Sequence, residues 1–178
     1  MDNNVQINDD ALVSGESIIS LYKGLPESLQ DIVGTLLNKR GISNLKQGNW
    51  YKLNAFVSII EEIDSIFGSQ TIYEIGKEVL NTALIADPVK NLVQAFDKYQ
   101  ITYNMNHRNS ECIFFVMESN TKKKRIQVSI LNPYPFHINR GLLTSLARKY
   151  PPKKGKIPEV TLDEAKSVFP KGIYNITW

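Results

Sequence analysis

Two histidines, one cysteine, an acidic cluster and two basic runs are the residues of this chain whose chemistry could exceed a structural role. His107 stands beside Arg108 and Asn109 in a stretch that reads as a turn, so an exposed, idle imidazole is expected there. His137 follows Phe136 at the entry to a late helix, where it either lines a pocket or organises the turn. Cys112 lies among apolar residues with no cationic or histidine partner in sequence, which describes a buried structural thiol rather than a nucleophile. Glu61, Glu62 and Asp64 read as the solvated face of a helix, not as a hydrolase pair. No Ser-His-Asp set, Gly-rich phosphate loop or dinucleotide fingerprint is present.

The basic runs are Lys122, Lys123, Lys124 and Arg125 at a predicted hairpin tip, and Arg148 and Lys149 followed by Lys153, Lys154 and Lys156. A charged tip protects a sheet edge, and cations after a helix complement its dipole. Taken together, Lys122, Lys123, Lys124, Arg125, Lys153 and Lys154 are a candidate patch for an anionic partner. Nucleic acid is disfavoured, because base-stacking and groove-reading motifs are missing. The aromatics give the positive case for a site. Trp50, Tyr51, Phe96, Phe114, Tyr134 and Phe136, with His137, crowd the expected junction of helices and sheet and are the candidate ligand-binding residues. Ordinary core packing is the competing reading for each.

At 178 residues and 20.2 kDa, a single domain over 1–178 is expected, with residues 1–12 loosely ordered. A hydrophobic fraction of 42% supports a real core. One cysteine excludes an internal disulfide and suits the cytoplasm, and no apolar run is long enough for a membrane span. A net charge of +3 does not by itself imply nucleic acid or membrane.

Apolar spacing of three and four predicts helices ending near Tyr22, over 26–39, over 54–67, over 71–84 with Gly76 at a close crossing, and over 88–98. From Tyr99 the apolar residues alternate, predicting a strand through Met105. Residues 111–119 are almost unbroken in apolarity and read as a central strand buried on both faces. Residues 125–131 alternate as a further strand. Pro133 and Pro135 hold an extended entry to a helix over 140–150, with Asn139 as its N-cap. Residues 158–168 are open between a capping-box helix at Thr161 and a strand, and Ile173 to Trp178 alternates as the last strand. Helices first and strands later predict α+β: N-terminal helices on an antiparallel sheet of about four strands, with one late helix before the C-terminal strand.

The segment Asn132-Pro133-Tyr134-Pro135, the helix entered at Arg140-Gly141, and the ending Tyr174-Asn175-Ile176-Thr177-Trp178 resemble the C-terminal half of the 4-vinyl reductase domain. That domain is related to subunits of the TRAPP transport particle and, in fold, to haem-nitric-oxide-binding domains. The resemblance implies helices on an antiparallel sheet, often with a buried pocket and often dimeric. Metal-binding members place cysteines at positions that fall here on Phe136, Ala165 and Ile173, so the resemblance implies a member without metal. The histidine-bearing helix and Tyr-x-Ser-x-Arg clamp of haem-binding relatives are not matched either, and no cofactor is expected.

The function expected is a non-enzymatic sensor or adaptor that binds an apolar small molecule or lipid in an interior pocket and acts through a protein partner, with a homodimer through the helical layer. The alternatives are a scaffold subunit with a closed core, and a small enzyme acting on an aromatic or tetrapyrrole-like substrate.

Overall fold

The computed structural model describes residues 8–81, 88–120, 122–152 and 157–178. It is α+β, as expected, with two antiparallel sheets. The helices are α1 (Gly15–Gly24), α2 (Glu27–Lys39), α3 (Leu53–Phe67), α4 (Ser69–Glu78, continued by a 3₁₀ turn Val79–Asn81), α5 (Leu92–Asp97), α6 (Tyr99–Asn106) and α7 (Phe136–Lys149). Strands β1 (Leu12–Ser14), β2 (Trp50–Lys52) and β3 (His107–Arg108) form a small sheet in the order β2-β1-β3. Strands β4 (Ile113–Asn120), β5 (Arg125–Leu131), β6 (Glu159–Leu162) and β7 (Lys171–Thr177) form the larger one, in the order β4-β5-β7-β6.

The early helices follow their sequence signals. Ser14 caps α1 by accepting from the Ser17 amide. Gly68, at φ 81°, supplies the left-handed residue between α3 and α4. On α3, Leu53, Phe56, Ile59, Ile60 and Ile63 are buried, while Glu61 faces water. The segment expected to be loosely ordered tightens at its end, where Ala11 is buried and Leu12 opens β1. The tail of the predicted 71–84 helix falls partly outside the described residues.

Three expectations fail. Tyr99 to Met105 is helix α6, not a strand. Tyr99, Tyr103 and Asn106 are its buried positions, spaced four and three apart; of the alternating apolar residues only Tyr99 and Tyr103 face inward, while Ile101 and Met105 stand exposed. Strand β4 is an edge, not the centre. Phe114 and Val116 pack inward, whereas Ile113, Phe115 and Met117 stand exposed on the other face. An unbroken apolar run records what a strand is made of, not what covers it. Finally, α7 begins at Phe136, with Pro135 at its start, and Asn139 is buried inside it instead of capping it. Proline's fixed φ suits a helix entry one turn earlier than the asparagine suggested.

The ambiguous segment 158–168 resolves as strand β6 over Glu159–Leu162, paired with β7. The inner face of the sheet is a matched layer: Ile126 faces Ile176 and Val128 faces Tyr174 across β5 and β7, and Val160 faces Ile176 across β6 and β7. These side chains are almost fully buried. The Tyr174 ring lies over Gly172, and its hydroxyl donates to the Phe136 carbonyl at 3.1 Å, tying β7 to the start of α7.

Helices α4 and α7 make the most extensive interhelical contact. A Cβ added to Gly76 would strike the Ile138 carbonyl, and one added to Gly141 would strike the Tyr73 carbonyl. The crossing is therefore at backbone distance, as the central glycine of α4 predicted. Among the described residues no helix is long and apolar enough to cross a membrane.

Candidate ligand cavity

Between the helices and the start of the larger sheet lies a cavity of about 90 Å³. Helix α1 contributes Ser17 and Leu21, α3 Phe56 and Ile60, and α7 Ile138, Asn139, Leu142 and Leu146. Helix α6 brings Tyr99, Thr102, Tyr103 and Asn106, and His107 follows directly in β3. Asn132 and Tyr134 close the wall from the proline-held segment. Val79, Leu80 and Val89, on either side of residues 82–87, bound one end. Among the described residues the wall carries no Lys, Arg, Asp or Glu.

Polar groups on this wall are bonded to one another. His107 Nδ1 lies 2.9 Å from the Tyr103 carbonyl oxygen, one helical turn back. A carbonyl only accepts, so Nδ1 carries the proton and Nε2 is left as an acceptor. The Tyr134 hydroxyl donates to Nε2 at 2.7 Å. The imidazole stacks on the Tyr103 ring at 3.8 Å, with 7° between planes, and meets the Tyr134 ring edge-on at 5.6 Å. Burial lowers its pKa to about 4, outweighing the carbonyl bond, which favours the charged form. The ring is neutral at pH 7. The Tyr134 hydroxyl is pushed well above its usual range by burial, so it stays a donor.

Around this pair, the Tyr103 and Ser110 hydroxyls meet at 2.7 Å. Asn132 and Asn139 exchange reciprocal amide bonds at 2.9 and 3.0 Å, and Asn132 also accepts from the Tyr134 amide. The two asparagines thereby lock the Asn-Pro-Tyr-Pro segment to α7. Asn106 accepts from Ser14 and Ser17 and donates to the Thr102 carbonyl. Cys112 is buried, and desolvation raises its thiol to about 12, against the opposing bond from Asn132. It is an inert thiol.

Of the seven candidate ligand residues, Tyr134 lines the cavity. Trp50 and Tyr51 lie in β2, where Arg108 covers the indole at 4.0 Å and the Tyr51 hydroxyl bridges Lys46 and Asn44. Phe96 and Phe114 pack on each other at 5.5 Å behind the wall. Phe136 turns toward Phe169, and His137 sits in the first turn of α7 with a buried Nδ1 that has no partner among the described residues. His107 is the reverse case. It was expected to be exposed and idle, and it lines the cavity with both ring nitrogens engaged. The signal for it was the i, i+4 spacing to Tyr103, hidden once α6 was taken for a strand. Lys122, Lys123 and Lys124 are exposed at the β4–β5 hairpin, and Arg125 is partly buried, donating to Asn175 at 2.8 Å. Lys153 and Lys154 lie outside the described residues.

No protein-family model matches the chain, and no curated protein does. Solved structures do. A domain studied for haem distortion in the H-NOX family superposes with a TM-score of 0.64 at 12% identity, covering 93% of this chain and 94% of that one. An oxygen-binding H-NOX domain related to soluble guanylate cyclases gives 0.61 at 12% identity, covering 91% and 94%. A mutant H-NOX protein from K. algicida, in the unliganded Fe(II) state, gives 0.66 at 10% identity, covering 92% and 95%. The chain has the fold of the H-NOX domains, the haem-nitric-oxide-binding branch of the resemblance drawn from its C-terminal third.

Proposed function

We propose that this protein is a non-enzymatic sensor or adaptor module that holds a small apolar molecule in the cavity and passes its occupancy to a protein partner. The observation that carries this reading is the cavity itself: an apolar space between helices and sheet, ringed by aromatic and aliphatic side chains, on a fold shared with ligand-binding domains. At about 90 Å³ the cavity suits a molecule of about one ring better than a whole lipid tail. The polar wall supports binding over catalysis, because a neutral imidazole with both nitrogens engaged is a poor general base. The affinity to 4-vinyl reductase domains rests on Asn132 to Pro135 and on Tyr174 to Trp178. A single, buried Cys112 supports a cytoplasmic setting.

Haem, named for two of the structural neighbours, does not fit these residues. The imidazole on the wall accepts from Tyr134 at 2.7 Å, and no cationic side chain among the described lining residues would pair with carboxylates. Haemin titration of the purified chain is expected to give no saturable Soret shift; a stoichiometric one would reverse this assignment.

For the partner, three exposed apolar side chains on one edge strand, Ile113, Phe115 and Met117, offer more than the helices, where Ile32, Ile66 and Val93 stand singly and only Ile101 and Met105 of α6 share an element. A homodimer is therefore better supported through β4 than through the helical layer. Native mass spectrometry, followed by denaturation and extraction, tests the whole reading. A stoichiometric organic adduct released on denaturation is expected. A clean protein mass that no apolar compound shifts in melting temperature would favour the scaffold alternative.

A further inference from the structure

The wall of the cavity has one conspicuous imbalance. Tyr99 is buried, 5% exposed, and lines the cavity, and its ring is held by stacking on Phe114 at 4.4 Å and 22°. Among the described residues its hydroxyl has no hydrogen-bond partner, whereas the hydroxyls of Tyr103, Tyr134 and Tyr174 each have one. Tyr99 thus presents the cavity with an O–H whose proton is uncommitted among the described residues, and an acceptor placed in the cavity gains a hydrogen bond there. The phenol does not release its proton instead, since burial pushes its pKa well above the usual range. An ionised ligand would find no opposite charge among the described lining residues.

We propose that the cavity selects an uncharged, mainly apolar molecule of about one ring that carries a single hydrogen-bond acceptor, such as a ketone or aldehyde oxygen, and that this oxygen docks on the Tyr99 hydroxyl. The proposal rests on the cavity being a ligand site and adds to it a chemical class and an anchoring residue. Tyr134 is not the anchor, because its proton is committed to His107. Tyr99 offers a proton and asks for nothing in return.

Isothermal titration of the full chain with acetophenone, ethylbenzene and benzoate tests this, in the parent and in Tyr99→Phe. Denaturant unfolding confirms that the variant is folded. In the parent, acetophenone is expected to bind about fivefold more tightly than ethylbenzene, the worth of one net hydrogen bond, and benzoate not measurably. In Tyr99→Phe the two neutral compounds are expected to bind equally, with ethylbenzene unchanged. A ketone preference that survives Tyr99→Phe, no preference in the parent, or benzoate binding as tightly as acetophenone would overturn the proposal while leaving the cavity a ligand site. Failure of both neutral compounds to bind the parent would sink the cavity reading as well.

Discussion

Helix α7 has two neighbouring faces that are packed in opposite ways. At Gly141 it meets Gly76 of α4 so closely that neither position has room for a methyl group. One residue further round, Leu142, with Ile138 and Leu146 on the same stripe, borders an open space. Interiors are normally filled to crystal-like density, and a void collapses when the elements around it can move together. Here α7 is held at the crossing by backbone contact, at its start by the Tyr174 hydroxyl, and at Asn139 by the reciprocal bonds to Asn132. The dense face thus acts as the strut that keeps the hollow one open, and the two differ in what they tolerate.

The largest expected effect breaks the strut. Gly141→Ala should cost about 3 kcal/mol in denaturant unfolding, because backbone on both sides of the new methyl must move. Gly34→Ala, in the middle of α2 with nothing nearer than the Tyr22 hydroxyl at 3.7 Å, is the control and should stabilise by about 0.5–1 kcal/mol. Equal effects at the two glycines would remove the contrast.

Next comes the proton on the hollow side. In the unfolded chain His107 titrates near 6.5, and in the cavity wall at about 4. Between those values the unfolded state binds more protons, so stability is full above about 6.5 and is lost as pH falls toward 4. The loss should be on the order of 2–3 kcal/mol. Urea midpoints measured from pH 7 to pH 4 check this, and His107→Gln should flatten that part of the curve even though it lowers the curve throughout.

Cutting one bond of the wall is milder. Tyr134→Phe leaves the His107 Nε2 acceptor unsatisfied and should cost about 1–2 kcal/mol. It should also raise the His107 pKa, as followed by NMR titration, because it removes a bond that favours the neutral ring. The smallest change is at the unpartnered phenol. Tyr99→Phe removes a polar atom that bonds nothing among the described residues and should be neutral or stabilising by up to about 1 kcal/mol in the ligand-free protein. A clear destabilisation would show that the Tyr99 hydroxyl has a partner after all, and that both tyrosines belong to one closed network.

Much of this was legible without coordinates. Gly76 announced a close crossing, because a glycine in mid-helix costs stability that only a close approach repays. The alternation from Ile173 to Trp178 put Tyr174 and Ile176 on one face, which the structure buries, and the α+β order of helices before strands held for the larger sheet, although β1 and β2 of the small sheet lie among the early helices. Those are local properties: a period, a missing Cβ, a fixed φ. The proline pair also marked a chain entry, though it starts α7 at Phe136 rather than at Arg140.

Only the tertiary structure decided which apolar residues face a void. Phe114 and Tyr99 are equally aromatic in sequence, yet the first packs behind the wall and the second forms it. The same holds for β4, whose composition suggested burial on both faces until the strand order placed it at the edge. His107 gained its role from Tyr134, 27 residues away, through one hydrogen bond that no local spacing encodes. Period and propensity are fixed by neighbours along the chain, whereas burial, pairing and pKa are fixed by neighbours across it. The cavity is made of the second kind.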